Sequence, residues 1–375
     1  VEKINRRAVK TAFHFQKGAI MRTLNIDIET FSSVDITKSG SYKYAMSNDF
    51  QILLFAYSID GHDVKIVDLA QGEAIPQEVL ELLKDKDCVK YAYNAVFEWW
   101  CLSMAGIETP LEQWQCTMVH GLYCGYTAGL AAIGNAMGLP QDKKKLTTGS
   151  TLIRYFCIPC KATKSNGNRT RNLPQHAPEK WELFKEYCVQ DVVTEMEIGR
   201  RLSAFPVPDR EWKLWQLDTF MNAYGVRVDS ELVNGALYID ALSRANLLEE
   251  ARDITKLDNP NSTSQLLSWL EEAGEEVENL QKATVEKMVN SLEDGQAKRV
   301  LEIRQELSKT SVKKYKAMDE AMCKDGRVRG LLQFYGANRT GRYAGRLVQV
   351  QNLPRNYIET LDVARDIIKK VMENY

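Results

Sequence analysis

Residues 24–31 constrain the fold of this chain most, because they place two carboxylates on one face of a predicted strand. Their sequence, Leu-Asn-Ile-Asp-Ile-Glu-Thr-Phe, alternates apolar and polar side chains, a pattern that predicts a β-strand. Residues i and i+2 of a strand point to the same face, so Asp27 and Glu29 project together. Two such charges are unfavourable unless a cation neutralises them. Taken alone, the segment fits a metal site and a solvated strand face equally well.

The composition is that of a soluble globular protein with two or three domains. The chain has 375 residues, of which 44% are hydrophobic and 26% charged. Because the formal net charge is −1, any basic surface for nucleic acid must be local. The eight cysteines are scattered, which favours reduced thiols in a cytoplasmic protein over a disulfide framework. No apolar run reaches the length of a signal peptide or a membrane span, so no membrane partner is expected.

Breaks in the pattern divide the chain into four predicted regions. A basic extension precedes the first strand, and a mixed sheet followed by helices then gives an α/β layout. Pro206 and Pro208 interrupt the helical pattern and mark the next boundary. Beyond them the pattern is mainly helical, with Asp229 predicted as a helix N-cap. The regions are residues 1–20, residues 21–205, residues 206–330 and residues 331–375. Single helices are predicted over residues 117–137, 294–323 and 358–373.

Two later segments add polar side chains that suit the same chemistry. Asn94 and Glu98 lie where a predicted strand gives way to a helix, a position at which catalytic side chains often occur. Tyr187 and Asp191 occupy positions i and i+4 of a predicted helix and share one face. Taken singly, Glu98 also fits a first-turn glutamate favoured by the helix dipole. The second pair also fits a buried tyrosine beside a surface acid.

In this order the groups resemble the motifs of the DEDDy-type 3′–5′ exonucleases: Asp-x-Glu, Asn-x-x-Phe-acid and Tyr-x-x-x-Asp. The resemblance implies a ribonuclease H-like exonuclease domain, a mixed sheet flanked by helices, with a site for two Mg²⁺ or Mn²⁺ ions. Oxygen ligands suit such hard cations. The implied metal ligands are Asp27, Glu29, Glu98 and Asp191, with Tyr187 orienting the attacking water and Thr30 and Asn94 near the DNA strand. The family's second motif usually ends in Asp, and the extra methylene of Glu98 changes its reach but keeps its charge.

Two basic segments are candidates for contacts with a DNA backbone. Residues 161–171 hold four cations and no acid, with glycine and asparagine that indicate a flexible loop; a solvated loop is the alternative. Residues 309–316 also lack acids, and a solvated helix face is the alternative there. The candidate cations are Lys161, Lys164, Arg169, Arg171, Lys313 and Lys314. The neighbouring Cys157 and Cys160 form a lone CxxC without a second pair, so we expect a structural role.

A series of motifs in the second half of the chain resembles family A DNA polymerases, the DNA polymerase I-like enzymes, of phage type. The motifs are residues 225–229, residues 259–266, residues 340–342 (Thr-Gly-Arg) and residues 351–354 (Gln-Asn-Leu-Pro). The resemblance covers residues 21–355 and implies DNA as the partner, as a single-stranded 3′ end and as a primer–template. It implies DNA contacts by Arg342, Gln351 and Asn352. Residues 206–330 would then be a helical thumb, and residues 331–375 the truncated start of a palm.

The family's palm strand with its first catalytic aspartate does not follow the last motif, so we do not expect this chain alone to polymerise DNA. The expected function is metal-dependent proofreading hydrolysis of DNA 3′ ends, in the cytoplasm of a bacterial or phage-infected cell. Three alternatives stay open. They are a DNA-binding remnant inactivated by Glu98 or by misfolding of the palm fragment, one half of a split polymerase completed by a separate chain, and a stand-alone exoribonuclease.

Overall fold

The computed structural model describes residues 21–146, 148–309, 312–337, 340–353 and 357–371. The predicted extension over residues 1–20 and Pro354 of the last motif lie outside the described residues. The described chain forms two compact units. The first consists of residues 21–33, Asn48–Leu217 and Phe334–Arg342, and the second of Val34–Ser47, Asp218–Gln333 and residues 343–371.

Strands and helices alternate in the first part of the chain, and helices dominate afterwards. Up to residue 224 the elements are β1 (Thr23–Phe31), α1 (Ile36–Ala45), β2 (Gln51–Ile59), β3 (Lys65–Asp68), α2 (Gln77–Lys84), β4 (Val89–Ala92), α3 (Ala95–Met104), β5 (Trp114–Cys116), α4 (Thr117–Tyr123), α5 (Leu130–Ala136), α6 (Gly149–Phe156), α7 (Pro178–Leu202) and α8 (Asp209–Tyr224). Then follow β6 (Val226–Arg227), α9 (Ser230–Thr255), α10 (Thr263–Glu272), α11 (Lys282–Ser291), α12 (Gln296–Leu307), α13 (Lys313–Ala321), β7 (Arg327–Val328), β8 (Leu332–Ala337), β9 (Arg342–Gly345) and α14 (Leu361–Lys370).

A five-stranded mixed sheet organises the first unit, in the order β3-β2-β1-β4-β5. β2 pairs antiparallel with both β1 and β3, whereas β4 pairs parallel with both β1 and β5. The predicted strand with two carboxylates, β1, is therefore the central strand. The predicted mixed α/β architecture is confirmed.

The core of the first unit lies between this sheet and α7. Phe156 of α6 packs edge-on against Trp181 of α7 with ring centroids 4.8 Å apart, and it stacks on Phe184 at 5.5 Å. The indole nitrogen of Trp181 donates a hydrogen bond of 2.6 Å to the carboxylate of Asp68 at the end of β3. Burial of these large rings fixes the position of α7 on the sheet. That position decides which side chains of α7 meet β1.

Two of the predicted single helices are interrupted. The helix predicted over residues 117–137 is two helices, α4 and α5, because Gly125 adopts a left-handed conformation (φ +86°) that ends the first. The helix predicted over residues 294–323 is likewise α12 and α13. α12 ends where the Ser308 hydroxyl donates to the Gln305 carbonyl at 2.7 Å, a bond that competes with helix continuation. Helical periodicity predicted the apolar faces but not these breaks.

The second unit is mainly helical. The Asp229 carboxylate accepts a hydrogen bond of 3.1 Å from the Leu232 amide at the start of α9, so the predicted N-cap is confirmed. Before it, Gly225 has φ +72°, and a β-carbon there would lie 2.7 Å from the Val328 carbonyl oxygen. One apolar cluster joins α10, α11 and α12 around Leu270 and Leu301. No helix in the described ranges is both long and apolar enough to cross a membrane.

Candidate active site

The face of β1 that carries Asp27 and Glu29 lies against α6 and α7. The Cys188 thiol of α7 is 3.6 Å from Asp27 Oδ2, and the Cys157 thiol just after α6 is 3.9 Å from Glu29 Oε2. Potential ligand atoms of Asp27, Glu29 and Cys188 lie within 4.8 Å of one another. A register shift between Glu29 and Thr30 interrupts the pairing of β1 with β2, as β-bulges near functional sites often do. The structure thus brings the two carboxylates together on one face.

Helix α7 also brings Tyr187 and Asp191 to the face of β1 that carries Asp27 and Glu29. Both are buried, at 2% and 5% exposed, and the negative charge of Asp191 raises the pKa of both Asp27 and Glu29. The Tyr187 ring stacks on Phe184 with centroids 6.1 Å apart and planes 12° apart, which fixes its orientation. Burial raises the pKa of Asp191, and the hydroxyl of Tyr187, which interacts with the Asp191 carboxylate, offsets part of that rise. The predicted i, i+4 pair therefore faces the predicted strand pair.

Glu98 lies in the first turn of α3. It is near Asp27, but it is not one of the residues whose potential ligand atoms lie within 4.8 Å of one another. Its carboxylate is 4% exposed, and burial, followed by the charge of Asp27, raises its pKa well above the ordinary value. Asn94, which precedes α3, is exposed, whereas Thr30 on β1 is only 5% exposed. The direct DNA contact predicted for Thr30 stays a prediction.

The carboxylates share an excess of negative charge that protein donors leave partly uncompensated. Burial is the main cause that raises the pKa of Asp27, Glu29, Glu98 and Asp191. Asp191 Oδ1 and Glu98 Oε2 are buried and have no hydrogen-bond partner among the residues that the structure describes. Buried charged oxygens without donors are costly, and they are hard ligands. The site therefore fits divalent cations such as Mg²⁺ or Mn²⁺.

Glu195 shows how α7 and β1 accommodate a buried acid whose oxygens are both hydrogen-bonded by the protein. It lies one helical turn beyond Asp191 and is equally buried. Asn25 Nδ2 donates to one carboxylate oxygen at 2.7 Å, and the Thr117 hydroxyl donates to the other. Both oxygens are thus satisfied by the protein. The contrast marks Asp191 as an acid placed for another partner.

Three site residues were missed by the sequence analysis. Lys145 forms an ion pair with Asp191, and its ammonium lies 4.6 Å from the centroid of the Tyr187 ring. A β-carbon on Gly149, the first residue of α6, would overlap the Tyr187 ring. Cys188 contacts Asp27 as described above. Lys145 stands in a run of three lysines, Gly149 beside a serine and Cys188 among scattered cysteines, so none of the three carries a local signal.

The basic loop over residues 161–171 divides into exposed and inward-facing cations. Lys161 and Lys164 are exposed. Arg169 donates hydrogen bonds to Asn172 Oδ1 (2.8 Å) and to the Asn166 carbonyl (3.0 Å) within the loop. The Arg171 guanidinium lies 3.8 Å from the Phe31 ring centroid and donates to Gln51 at 2.7 Å. These internal contacts give the segment, predicted to be flexible, a defined conformation.

The other predicted DNA contacts lie mostly at the surface. Lys313, Arg342, Gln351 and Asn352 are exposed, whereas Lys314 Nζ donates to the Val348 carbonyl at 2.6 Å. The Gln351 side chain packs over Gly345, where a β-carbon would overlap it. The contacts that these residues make within the protein do not bear on DNA binding. Their role in DNA binding stays a prediction.

Comparison with known proteins relates this chain to a DNA polymerase. No protein-family model matches the chain. The DNA polymerase of Bacillus phage SP02 is 53% identical over 350 residues, which are 93% of this chain and 54% of that protein. The chain therefore spans about half the length of the curated relative it matches.

A solved structure has a similar fold at low sequence identity. It is described as the POL domain of Pol1 from M. smegmatis in complex with DNA primer-template and dNTP. The match covers 92% of this chain and 54% of the other, with a TM-score of 0.51 and 15% sequence identity. This likeness concerns the fold alone. Together with the phage relative, it confirms the predicted resemblance of this chain to family A DNA polymerases of the phage type.

Proposed function

We propose that the first unit is a metal-dependent 3′–5′ exonuclease that hydrolyses DNA ends, the proofreading portion of a family A DNA polymerase. The observation that carries this proposal is the convergence of Asp27, Glu29 and Asp191 beside Tyr187, with buried carboxylate oxygens that protein donors leave unsatisfied. A ribonuclease H-like assignment of this unit belongs to the same proposal. It is supported by the mixed sheet whose central strand carries two of the acids.

The carboxylates would hold the divalent cations, and the charges of the two would compensate each other. Asp27, Glu29 and Asp191 would provide the ligand oxygens, and Glu98 would add a fourth carboxylate from the first turn of α3. The chemistry supplied by bound divalent ions is activation of water and stabilisation of charge on the phosphoryl oxygens. The Tyr187 ring is held by its stacking on Phe184, and its hydroxyl would orient the attacking water by hydrogen bonding.

The DNA strand would approach across the exposed cations of the same unit. Lys161 and Lys164 are free of the internal hydrogen bonds that engage Arg169, and they suit contacts with phosphates. Asn94, exposed at the start of α3, is a further candidate for a contact with the strand. The name of the phage relative and the DNA in the solved structure support DNA as the partner.

A 5′-labelled single-stranded oligodeoxynucleotide incubated with Mg²⁺ tests the proposal. We expect the wild type to shorten it and Asp27→Ala to leave it intact. Asp142→Asn is a matched control, since this carboxylate is exposed and only its backbone carbonyl is engaged by Gln190. Equal degradation by the wild type and Asp27→Ala would overturn the catalytic assignment. A matched RNA oligonucleotide separates a DNA exonuclease from an exoribonuclease.

Glu98 favours one alternative, a DNA-binding protein without nuclease activity, because the resembled motif has Asp at this position. Primer–template binding without metal-dependent cleavage would support that alternative. Restored cleavage in Glu98→Asp would show that the added methylene is the cause. Completion of the polymerase by a separate chain stays a prediction, and primer extension by this protein alone would contradict it.

A further inference from the structure

Among the described contacts of Asp191, Lys145 is the residue with a positive charge, and its side chain is partly exposed. Its ammonium pairs with Asp191 Oδ2. The Lys145 side chain is 26% exposed, while that of Asp191 is 6% exposed. The pair therefore joins a buried anion to a cation at the rim of the site.

The positive charge of Lys145 acts on the whole carboxylate group. It pairs directly with Asp191 and attracts Asp27 and Glu29 electrostatically over a longer distance. An ammonium paired with one of three gathered carboxylates offsets part of their mutual repulsion. Lys145 thus supplies to the protein alone some of the neutralisation that divalent cations would supply.

The backbone before Lys145 is held against α7, whereas the Lys145 side chain can still move toward solvent. Gln190 Nε2 donates to the Asp142 carbonyl at 2.9 Å, which ties the preceding turn to α7 directly beside Asp191. The ammonium lies over the Tyr187 ring, on a flexible four-carbon stem. A small rotation of that stem moves the charge toward solvent without moving the backbone.

We propose that Lys145 is a positioning residue that occupies the cation place beside Asp191 in the metal-free protein and exchanges with a divalent ion when one binds. A divalent ion and an ammonium on the same carboxylate repel each other, so binding of the ion releases Lys145. The released ammonium then contacts a phosphate of the DNA 3′ end, the anion that enters the site with the substrate. This inference rests on the proposed exonuclease function for its second step only.

Direct Mn²⁺ binding to the DNA-free protein, followed by electron paramagnetic resonance, tests the exchange. We expect Lys145→Gln to bind Mn²⁺ roughly 3–10-fold more tightly than the wild type, because the competing cation is gone. Without metal, Lys145→Gln should melt below the wild type, and saturating Mn²⁺ should narrow that difference. Lys144→Gln is the matched control and should follow the wild type in both measurements. Unchanged or weaker Mn²⁺ binding by Lys145→Gln would overturn the exchange.

Cleavage of single-stranded DNA at saturating Mn²⁺ tests the second step. We expect Lys145→Gln to lose about 10–100-fold in kcat/KM despite its tighter metal binding, and Lys145→Arg to recover most of that loss. Undiminished cleavage by Lys145→Gln would overturn the phosphate contact. A wild type that binds Mn²⁺ but cleaves no DNA would refute the proposed nuclease and leave the exchange to be decided by the binding data alone.

Discussion

The sequence predicts both a carboxylate site and basic segments that bind the same DNA substrate, yet the structure places the side chains of the two differently. The acids of the site are buried, except for the half-buried Asp27, and they lie on the central strand β1 and the helices α3 and α7. The cations predicted to bind DNA are divided between the surface and the protein's own hydrogen bonds. Lys161 remains exposed, while Arg171 covers Phe31 and Lys314 binds the Val348 carbonyl.

The difference follows from the cost of burial. A buried carboxylate needs compensation, so its surroundings restrict what it can do, as the contrast between Asp191 and Glu195 shows. An arginine has a long apolar stem and several donors, and it can satisfy itself against the protein as readily as against phosphate. We therefore expect a motif of buried acids to be a better indicator of a functional site than a run of surface cations.

The largest effect is expected from removing a charge within the carboxylate site. Asp191→Asn keeps the shape of the side chain but removes a proposed metal ligand and the partner of Lys145, so DNA hydrolysis should fall by a factor on the order of 10³ or more. Single-turnover cleavage at saturating Mg²⁺ measures this. Glu186→Gln, which removes an exposed carboxylate on the same helix, should fall far less. A loss below tenfold in Asp191→Asn would place the reaction elsewhere.

Gly149→Ala tests the packing that orients Tyr187. The added methyl group would overlap the tyrosine ring, so the ring must shift, and we expect cleavage to fall by about 10–100-fold through misplacement of its hydroxyl. Gly134→Ala is the control: it lies in helix α5 of the same unit, and its added β-carbon would lie 3.7 Å from Leu139, an ordinary contact. Equal activity of both variants would show that the tyrosine position is not critical.

The basic loop should separate into two kinds of residue. Lys161→Gln and Lys164→Gln should each reduce the salt dependence of single-stranded DNA binding by about 0.7 in the logarithmic slope, with thermal stability unchanged. Arg171→Gln should instead destabilise the first unit by about 1–2 kcal/mol, because it loses the contact with Phe31 and the bond to Gln51. Fluorescence anisotropy and thermal melts distinguish the two. Loss of DNA binding by Arg171→Gln without a change in thermal stability would contradict this division into DNA-binding and structural cations.

Asp218 of the second unit is a buried carboxyl outside any cluster of acids. Its effect on protein stability should depend on pH and not on metal ions. Burial raises its pKa from 3.8 to about 7, against the opposing bond from Asn222. Between these values the folded state binds more protons than the unfolded state, so the contribution of Asp218 to stability is present below pH 3.8 and is lost as the pH rises to about 7.

Asp218→Asn should therefore raise the melting temperature at pH 8, by roughly 2–4 °C for each kcal/mol recovered, and change it less at pH 5. Mn²⁺ should not alter this difference, whereas it should stabilise the wild-type first unit. A melting temperature of Asp218→Asn that is equally raised at both pH values would show that titration of Asp218 is not the cause. This effect is the smallest of the four.

Local patterns predicted much of the fold and the core of the site. Alternation predicted β1, the i, i+4 spacing placed Tyr187 and Asp191 on one face, and Asp229 was identified as a helix cap. Contacts between distant segments were not predictable from such patterns. Lys145 reaches Asp191 because the loop after α5 is tied to α7, and Gly149 matters only because the Tyr187 ring packs on it. Gly125, by its left-handed conformation, ended a helix that apolar periodicity alone would have continued.

The polarity and metal dependence of DNA hydrolysis test the central claim most directly. The same oligodeoxynucleotide is labelled at its 5′ end or at its 3′ end and incubated with the wild type in Mg²⁺ or in chelator. The account predicts immediate release of the 3′ label as a mononucleotide and a descending ladder from the 5′ label, both only with metal and neither with Asp27→Ala. Hydrolysis that persists in chelator, that begins at the 5′ end, or that survives in Asp27→Ala would contradict it.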